Sequence, residues 1–506
     1  MVVLIDSEPT SPKSPTTWSP RPGSSQAGSS QAPVSHYGAV MRSPEAASPI
    51  PPPAYSQAAN VPLLPGPHQK PTRRTAATKR FCRAFAIALV IMLVISTLSH
   101  IWSSGYEVIW DNKPRPEDGN IVSCSKSWFD SGYLNVAHAQ TDDNIDQTMI
   151  PGYPVFSSSK SYTLPVNKSL HYIVAHGSLS SGVVNIRSSD TIDPNYVDVK
   201  LVANYWSKEA LSYTQVCELK KPEGGVGLGI YTPSGRFSQG RGLELQITWV
   251  VTVTLPTAYQ SNLDLNAFAT NVDNFRHSIE GLGSRVYFEH LSLKGSNGAI
   301  ESDGLTVSQA TIATSNSKIS GKFSADDSLV LKTTNGAIDT DIDITNDDTH
   351  KSSSVDLTTS NARIASRISL LTTHGQRPQP KGGHFTVKAT TSNGRLDISY
   401  PTSPVDSLLD FKGETTNGSA DIALDAAYEG TFALSTSNGR AELDKERTSD
   451  PSGKGRSRIV HKDGGWSPKK ISGSIFWGDE KDHDKNAETG RVIISTSNSW
   501  ARLRLL

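Results

Sequence analysis

The sequence is poor in cysteine, in net charge and in aromatic residues. Its 3 cysteines among 506 residues are too few for a disulfide-rich scaffold or a cysteine-rich zinc module. The 49 lysines and arginines balance 49 aspartates and glutamates, so the bulk charge does not indicate a nucleic-acid partner. Aromatic residues account for 7% of the chain, and its 39 glycines favour strands and turns over a helical bundle.

Recognisable catalytic motifs are also absent from the sequence. It contains no HExxH, GxSxG or Walker A string, and its 13 histidines do not recur at the spacing of zinc ligands. Asp339, Asp341 and Asp343 alternate along one strand-like run and offer oxygen ligands to Ca²⁺, but we favour a solvated acidic face. We therefore predict that the protein is not an enzyme and that it needs neither a metal nor a cofactor.

The first 80 residues differ in composition from the rest of the chain. They hold 15 of the 30 prolines, and up to Arg83 nine Lys and Arg outnumber three Asp and Glu. Such a stretch buries too little apolar surface to offset the entropy lost on ordering. We predict that residues 1–80 form a disordered Pro/Ser-rich tail.

One long apolar run, at 84–102, follows this tail. As a helix, its 19 uncharged residues would reach roughly 28 Å, close to the hydrocarbon thickness of a bilayer. Lys and Arg cluster just before the run, whereas Glu107 and Asp111 follow it. The positive-inside rule then predicts a type II single-pass membrane protein with a cytosolic N-terminus and an extracellular or lumenal C-terminal ectodomain. The bilayer is accordingly a predicted partner.

Two short features of the tail suggest further contacts. Pro52, Pro53 and Tyr55 form a PPxY string that predicts a ligand for a cytosolic WW-domain protein, although chance in a proline-rich tail is the alternative. Cys82 lies beside the predicted membrane span and is a candidate for palmitoylation. Simple burial of its thiol at the helix end is the alternative.

A T-S/T-N-G string recurs over the C-terminal half. In each copy a β-rich alternating run precedes an asparagine, and a shorter run follows it, which predicts two strands joined by a turn. The Asn-Gly pair tolerates positive φ and so turns the chain readily. The repeat asparagines are Asn297, Asn316, Asn335, Asn361, Asn393, Asn417, Asn438 and Asn498.

Two architectures fit these repeats. Isolated Asn-Gly turns would make a chain of antiparallel hairpins, whereas a turn at one angular position would make a β-solenoid with layers about 4.8 Å apart. We favour a solenoid over 259–506 because the whole string recurs, beyond its turn dipeptide. Stacked Asn and Thr side chains are then expected to hydrogen-bond along a ladder. The stretch at 444–470, within the largest gap between copies, is expected to be an exposed insertion.

The repeated string resembles the putative-adhesin repeat family, which occurs in bacterial surface proteins and in membrane-anchored fungal proteins. The resemblance covers about residues 260–506, and the tail, span and repeats together resemble the fungal members. It implies a β-solenoid of the TTSNG type with unassigned activity. It carries over no site residues.

The stretch at 118–258 is less repetitive but rich in strand-like runs, and we predict a β-rich, sandwich-like cap over the open end of the solenoid.

Cys124 and Cys217 are candidates for a disulfide in an oxidising compartment, with two free buried thiols as the alternative. Asn167 and Asn417 head glycosylation sequons, which makes the protein a predicted glycoprotein.

These features favour a non-catalytic, adhesin-like surface protein that contacts cell wall, matrix or a surface protein. A carbohydrate-active enzyme on a solenoid is an alternative, but its face should carry clustered carboxylates, whereas Thr, Ser and Asn dominate here. A receptor whose PPxY tail recruits a WW-domain protein is a third hypothesis. Arg363, Arg395 and Arg440 follow repeat asparagines by two positions and form either a basic stripe for an acidic polysaccharide or ordinary solvated surface.

Overall fold

The computed structural model describes residues 114–125, 129–134, 155–234, 245–257, 262–347, 351–372, 382–464, 467–478 and 489–506. Within these ranges the regular structure is almost entirely strand, with one short α-helix, α1 (Lys208–Ser212). The strands of the region before the repeats are β1 (Asn120–Ser125), β2 (Phe129–Leu134), β3 (Val155–Pro165), β4 (His171–His176), β5 (Ser180–Ser189), β6 (Tyr196–Tyr205), β7 (Gln215–Lys220), β8 (Val226–Tyr231) and β9 (Ile247–Pro256).

The remaining strands belong to the predicted repeat region. They are β10 (Leu263–Val272), β11 (Phe275–Glu280), β12 (Val286–Lys294), β13 (Ile300–Ala313), β14 (Ile319–Lys332), β15 (Ile338–Thr345), β16 (Ser353–Thr358), β17 (Ile364–Leu371), β18 (His384–Thr391), β19 (Leu396–Ser399), β20 (Leu408–Thr415), β21 (Ala420–Leu424), β22 (Gly430–Thr436), β23 (Ala441–Lys445), β24 (Arg458–Lys462), β25 (Lys470–Trp477), β26 (Gly490–Thr496) and β27 (Ala501–Leu505).

The all-β part of the predicted fold is confirmed, whereas its transmembrane helix has to be corrected. In the part of the chain that the structure describes, no helix is long and apolar enough to cross a membrane. The five residues of α1 extend about 7.5 Å at 1.5 Å per residue, against a hydrocarbon core of roughly 30 Å. The run at 84–102 and the tail before it lie outside the described residues. The single-pass membrane localisation, with its orientation, is not supported and is withdrawn.

The strands form two long sheets. Sheet 1 runs in the order β1-β7-β8-β4-β10-β12-β13-β14-β16-β18-β20-β26-β22-β25-β24. Sheet 2 runs in the order β2-β3-β6-β9-β5-β11-β13-β14-β15-β17-β19-β21-β27-β23. The long strands β13 and β14 give their first halves to sheet 2 and their second halves to sheet 1.

The repeats stack as parallel coils, each made of one strand of sheet 1, an asparagine corner and one strand of sheet 2. Equivalent residues lie side by side from coil to coil, as Leu331 beside Leu357 in sheet 1 and Ile338 beside Ile364 in sheet 2. Hairpins would instead pair consecutive strands antiparallel. The repeats therefore form a two-sheet β-solenoid.

Alternating side chains from both sheets fill the space inside the coils. In β15, inward positions are buried and outward positions are more exposed, as period-two alternation requires. Ile319, Ile338, Ile364 and Leu396 occupy the same inward position of successive coils and are fully buried. Aliphatic residues of the two sheets belong to one continuous core, so burial of apolar area stabilises every coil against its neighbours.

The glycine and threonine of each corner serve the contact between layers. A Cβ atom on Gly394 would lie 1.7 Å from the carbonyl oxygen of Ala362 in the next coil. Gly394 does not have positive φ, so the expectation that Asn-Gly supplies a left-handed turn is wrong for this corner. Thr391 Oγ1 accepts the Gly394 N–H at 3.1 Å and donates to the Ala362 carbonyl at 3.1 Å. The string therefore closes the corner and ties it to its neighbour.

The last repeat of the chain is not the last coil of the stack. β26 pairs in parallel with β20 on one side and with β22 on the other, and β27 likewise lies between β21 and β23. The segment Gly490–Leu505 therefore intercalates between two coils that precede it in sequence. The stretch at 444–470 is not simply an insertion, because it contributes β24 and leads into β25, which covers the edge of β22.

The predicted cap shares both sheets with the repeats. β4 and β5 already pair in parallel with β10 and β11, so a coil of the solenoid type begins before residue 259. Beyond this coil the pairing becomes antiparallel, through β8, β7 and β1 in sheet 1 and through β9, β6 and β3 in sheet 2. These antiparallel strands extend the two sheets beyond the first coil, at the end of the stack opposite β24 and β25.

Candidate ligand-binding groove

The predicted repeat asparagines align in one exposed column. Each donates a hydrogen bond from its side-chain nitrogen to the side-chain oxygen of the preceding asparagine in the column, with N···O distances of 2.6–2.8 Å. The column runs in the order Asn274, Asn297, Asn316, Asn335, Asn361, Asn393, Asn417, Asn498 and Asn438. Asn274 was not predicted, because its Val-Asp-Asn-Phe context lacks the repeated string.

An acidic replacement inside this ladder is expected to destabilise the stack. Asn393→Asp removes the N–H that Asn393 donates to Asn361 at 2.7 Å and places two oxygen atoms against each other. We expect the free energy of unfolding to fall by about 1–2 kcal/mol, measured by denaturant titration. Ser392→Asp is the control, because it adds the same charge at the exposed neighbouring position. Equal losses in both variants would show that charge, and not the ladder, matters.

The outer face of sheet 2 carries paired charges. Asp339 accepts from Lys318 at 3.3 Å and from Arg363 at 3.1 Å, and Asp341 lies 3.7 Å from Arg367. Each of these partners is at least a third exposed, so each pair contributes about 1 kcal/mol or less. Asp339 and Asp341 therefore belong to an ion-pair network. Within the described ranges no group of three or more His, Cys, Asp or Glu could hold a metal ion.

A tryptophan interrupts this charged face near the end of the stack. Trp500 lies two residues after Asn498, in the column that also holds Arg395. The guanidinium carbon of Arg395 lies 5.7 Å from the centre of the Trp500 ring, and that of Arg502 lies 4.9 Å from it. Both distances fall within the range of cation–π attraction, so the two arginines hold the indole in place.

The last two coils enclose an open groove beside Trp500. Its volume is about 470 Å³, within the usual range for ligand sites. One coil supplies four of the lining residues and the next coil supplies three. The groove lining consists of Gly439, Arg440, Glu442, Asn498, Ser499, Trp500 and Arg502.

Two arginines of the groove differ in their partners. Arg502 is held by the Glu442 carboxylate at 2.9 Å and lies 3.6 Å from Asp444. Arg440 is exposed and forms no ion pair with any described residue. Because its charge is not neutralised locally, Arg440 is the guanidinium of the groove that remains available to an anion.

The three arginines of the predicted basic stripe lie in one column of sheet 2 but in different settings. Arg363 pairs with Asp339, and Arg395 lies 3.1 Å from Asp397 and contacts Trp500. Only Arg440 remains available for an anion. In the sequence, Trp500 follows its repeat asparagine by two positions, as these arginines follow theirs, and this shared offset is the signal that marks the groove.

The structure joins Cys124 and Cys217 in a disulfide, with their Cα atoms 4.0 Å apart. The bond links edge strand β1 to β7, which are already antiparallel neighbours at these two residues. A buried polar cluster on the same side of sheet 1 centres on Asp118, a residue that the sequence did not single out.

The Asp118 carboxylate accepts hydrogen bonds from His176 Nε2 at 2.9 Å, from the Tyr231 hydroxyl at 3.0 Å and from the Arg115 backbone N–H at 2.9 Å. Burial raises the pKa of Asp118, which is the largest single effect. Together, the hydrogen bonds, led by that from His176, lower this pKa by more than burial raises it, so the net shift is downward. The cluster therefore fastens the turn before β1 onto sheet 1.

The remaining predicted sites fall into two groups. Asn167 is exposed in a turn, whereas Asn417 uses its side-chain nitrogen in the asparagine ladder, so Asn167 is the more accessible sequon. Glycosylation of either stays a prediction. The PPxY string at Pro52, Pro53 and Tyr55 and the palmitoylation candidate Cys82 lie outside the described residues.

The chain is similar to a protein family over part of its length and to a solved structure. Residues 309–450 match a family described as a domain of unknown function (DUF7330), which is less than a third of the chain. No curated protein matches the chain. One solved structure, described as a putative cell adhesion protein from Clostridium sporogenes, is 11% identical and covers 69% of this chain and 100% of its own. Its TM-score is 0.14, so it carries no argument here. Membership of the TTSNG-type family and of its fungal group is not shown.

Proposed function

We propose that this chain is a non-catalytic, adhesin-like binding protein whose β-solenoid presents an outer face to a polysaccharide or to a surface protein. The observation that carries the proposal is the groove beside Trp500. An aromatic ring fixed by two arginines and an exposed arginine without an ion pair are typical of a binding site. The stack supplies rigid strands on which these side chains are held in register.

The alternative of a carbohydrate-active enzyme needs two cooperating carboxyl groups, one of them with a raised pKa. Glu442 of the groove is engaged by the guanidinium of Arg502, with a terminal nitrogen 2.9 Å from its carboxylate. Asp425 is a carboxyl whose pKa is raised by burial, but its carboxylate accepts the N–H of Ala427 within a turn. These contacts favour binding over hydrolysis.

A binding array with the full chain tests the proposal. The probes are purified cell-wall polysaccharides and intact cell-wall preparations, and both retention and release of reducing ends are measured. We expect saturable retention on at least one probe with no release of reducing ends. Cleavage that Asp425→Asn or Glu442→Gln abolishes would replace the proposal with the enzyme alternative, and the absence of retention on every probe would refute it.

A further inference from the structure

We infer that the groove beside Trp500 binds an acidic sugar residue of a polysaccharide, with its ring against the indole and its carboxylate or sulfate against Arg440. The inference rests on the proposed function and adds the ligand class and the site. It follows from the distribution of charge around the groove, from the setting of the indole and from the order of the coils.

The indole provides a platform for a sugar ring. Trp500 is only partly buried and lies on the outer face of sheet 2. The groove lies between the indole and the coil that carries Arg440. Arg395, two coils away on the opposite side, contacts the same ring. Arg502 also contacts the ring, and its guanidinium is held by Glu442. The apolar C–H face of a pyranose can pack on the part of the indole that these two arginines leave exposed to the groove.

The charge of the groove favours an anion. The Glu442 carboxylate accepts hydrogen bonds from Nε and from a terminal nitrogen of Arg502, at 3.1 Å and 2.9 Å. Arg440, two residues before Glu442 in the same coil, remains exposed. A guanidinium binds a carboxylate or sulfate through two parallel hydrogen bonds. A neutral sugar would leave this guanidinium in water, whereas an acidic sugar would pair with it. The groove should therefore discriminate by charge.

The site depends on the intercalated C-terminal repeat. Trp500 and Asn498 come from that repeat, whereas Gly439, Arg440 and Glu442 come from the coil beside it, about 60 residues earlier in sequence. At the position of Trp500 the other repeats before Asn438 carry no aromatic side chain; the residues there are Ala299, Lys318, Ala337, Arg363, Arg395 and Ser419. The groove is therefore a single local site at one end of the stack.

Three variants of the full chain test the inference on immobilised polygalacturonate, with neutral dextran and polyglutamate as comparison probes. Arg440→Gln is expected to weaken binding to polygalacturonate about tenfold and to leave any dextran binding unchanged. Trp500→Ala is expected to abolish binding to the saccharides, and added salt is expected to weaken the polygalacturonate interaction and not any dextran binding. Arg367→Gln is the matched control, because it removes one exposed charge from the same sheet face four coils away.

The outcomes separate the inference from the proposed function. If polysaccharide is retained but Arg440→Gln and Trp500→Ala both bind normally, the protein is a binding protein and the groove is not its site. Equal losses in Arg440→Gln and Arg367→Gln would reduce the effect to general charge, and stronger binding to polyglutamate would assign the groove to acidic protein. Each of these results overturns the inference. Unfolding midpoints of all variants exclude misfolding as the cause, and Arg440→Gln keeps the test valid if Trp500→Ala is unstable.

Discussion

Deletion of residues 489–506 is expected to unfold the C-terminal end of the stack and leave the earlier coils intact. The segment pairs on both edges in both sheets, so its loss leaves β20, β21, β22 and β23 without partners on one side. It also buries four large aliphatic side chains, Val492, Ile494, Leu503 and Leu505. At roughly 1.5–3 kcal/mol each, their burial contributes about 6–12 kcal/mol as an upper estimate.

Hydrogen exchange measured by mass spectrometry checks this prediction. In the shortened chain 1–488, amides of Gly430–Thr436 should exchange at least a hundredfold faster, whereas those of Ile338–Thr345 should remain protected. Each coil depends chiefly on its immediate neighbours, which is the reason for the expected boundary. Retained protection of Gly430–Thr436 would mean that the two flanking coils close directly on each other.

A synthetic peptide of residues 489–506 provides the control. Added to the shortened chain, it is expected to restore protection of β22, because the vacated position offers strand edges on both sides and an apolar interior. The same peptide with Ile494→Asp should not restore it, since the carboxylate would be buried in the core. Rescue by both peptides would show non-specific association.

Acidification from pH 6.5 to pH 4 is expected to destabilise the protein through His277. Its ring is fully buried, and burial lowers its pKa to about 4 from an ordinary value of 6.5. Nε2 lies 2.7 Å from Thr270 Oγ1, and Nδ1 has no hydrogen-bond partner. The position is an anomaly, because other coils place aliphatic residues such as Ile300 at this inward site.

The sign follows from proton binding. Above pH 6.5 both states hold His277 neutral, and its contribution to stability does not change with pH. Between pH 6.5 and about 4 the unfolded chain binds a proton that the folded chain excludes, so stability declines as the pH falls. A difference of 6.5 minus 4, at about 1.4 kcal/mol per pH unit, corresponds to about 3.5 kcal/mol in full, of which roughly 3 kcal/mol is lost by pH 4, where the folded state begins to bind the proton as well.

The measurement is the free energy of unfolding as a function of pH for the protein and for the double variant His277→Ile/Thr270→Val. The second change removes the hydroxyl that would otherwise lose its partner. The double variant is expected to lose about 3 kcal/mol less over this range, and taking the difference cancels other groups, such as His171, whose pKa is also lowered by burial. Identical pH profiles would show that His277 becomes protonated without cost.

Much of the local structure was predictable because the signals are local. Alternation in stretches such as 338–345 indicates which side chains face inward, and the recurring asparagine marks each corner. The corner chemistry was predicted for the wrong reason at Gly394, where the constraint is a carbonyl oxygen of another coil. A single sequence does not show how closely two layers approach, since that distance depends on chain segments far apart in sequence.

Sequence by itself determined the strand content, the inward and outward faces and the asparagine corners, because hydrogen-bonding preference and side-chain alternation act over a few residues. Tertiary structure alone decided the order of the coils. All repeats present the same edge pattern, so nothing local requires Asn498 to lie between Asn417 and Asn438. Only long-range pairing selects that order, and it alone brings Trp500 beside Arg440 to form the groove.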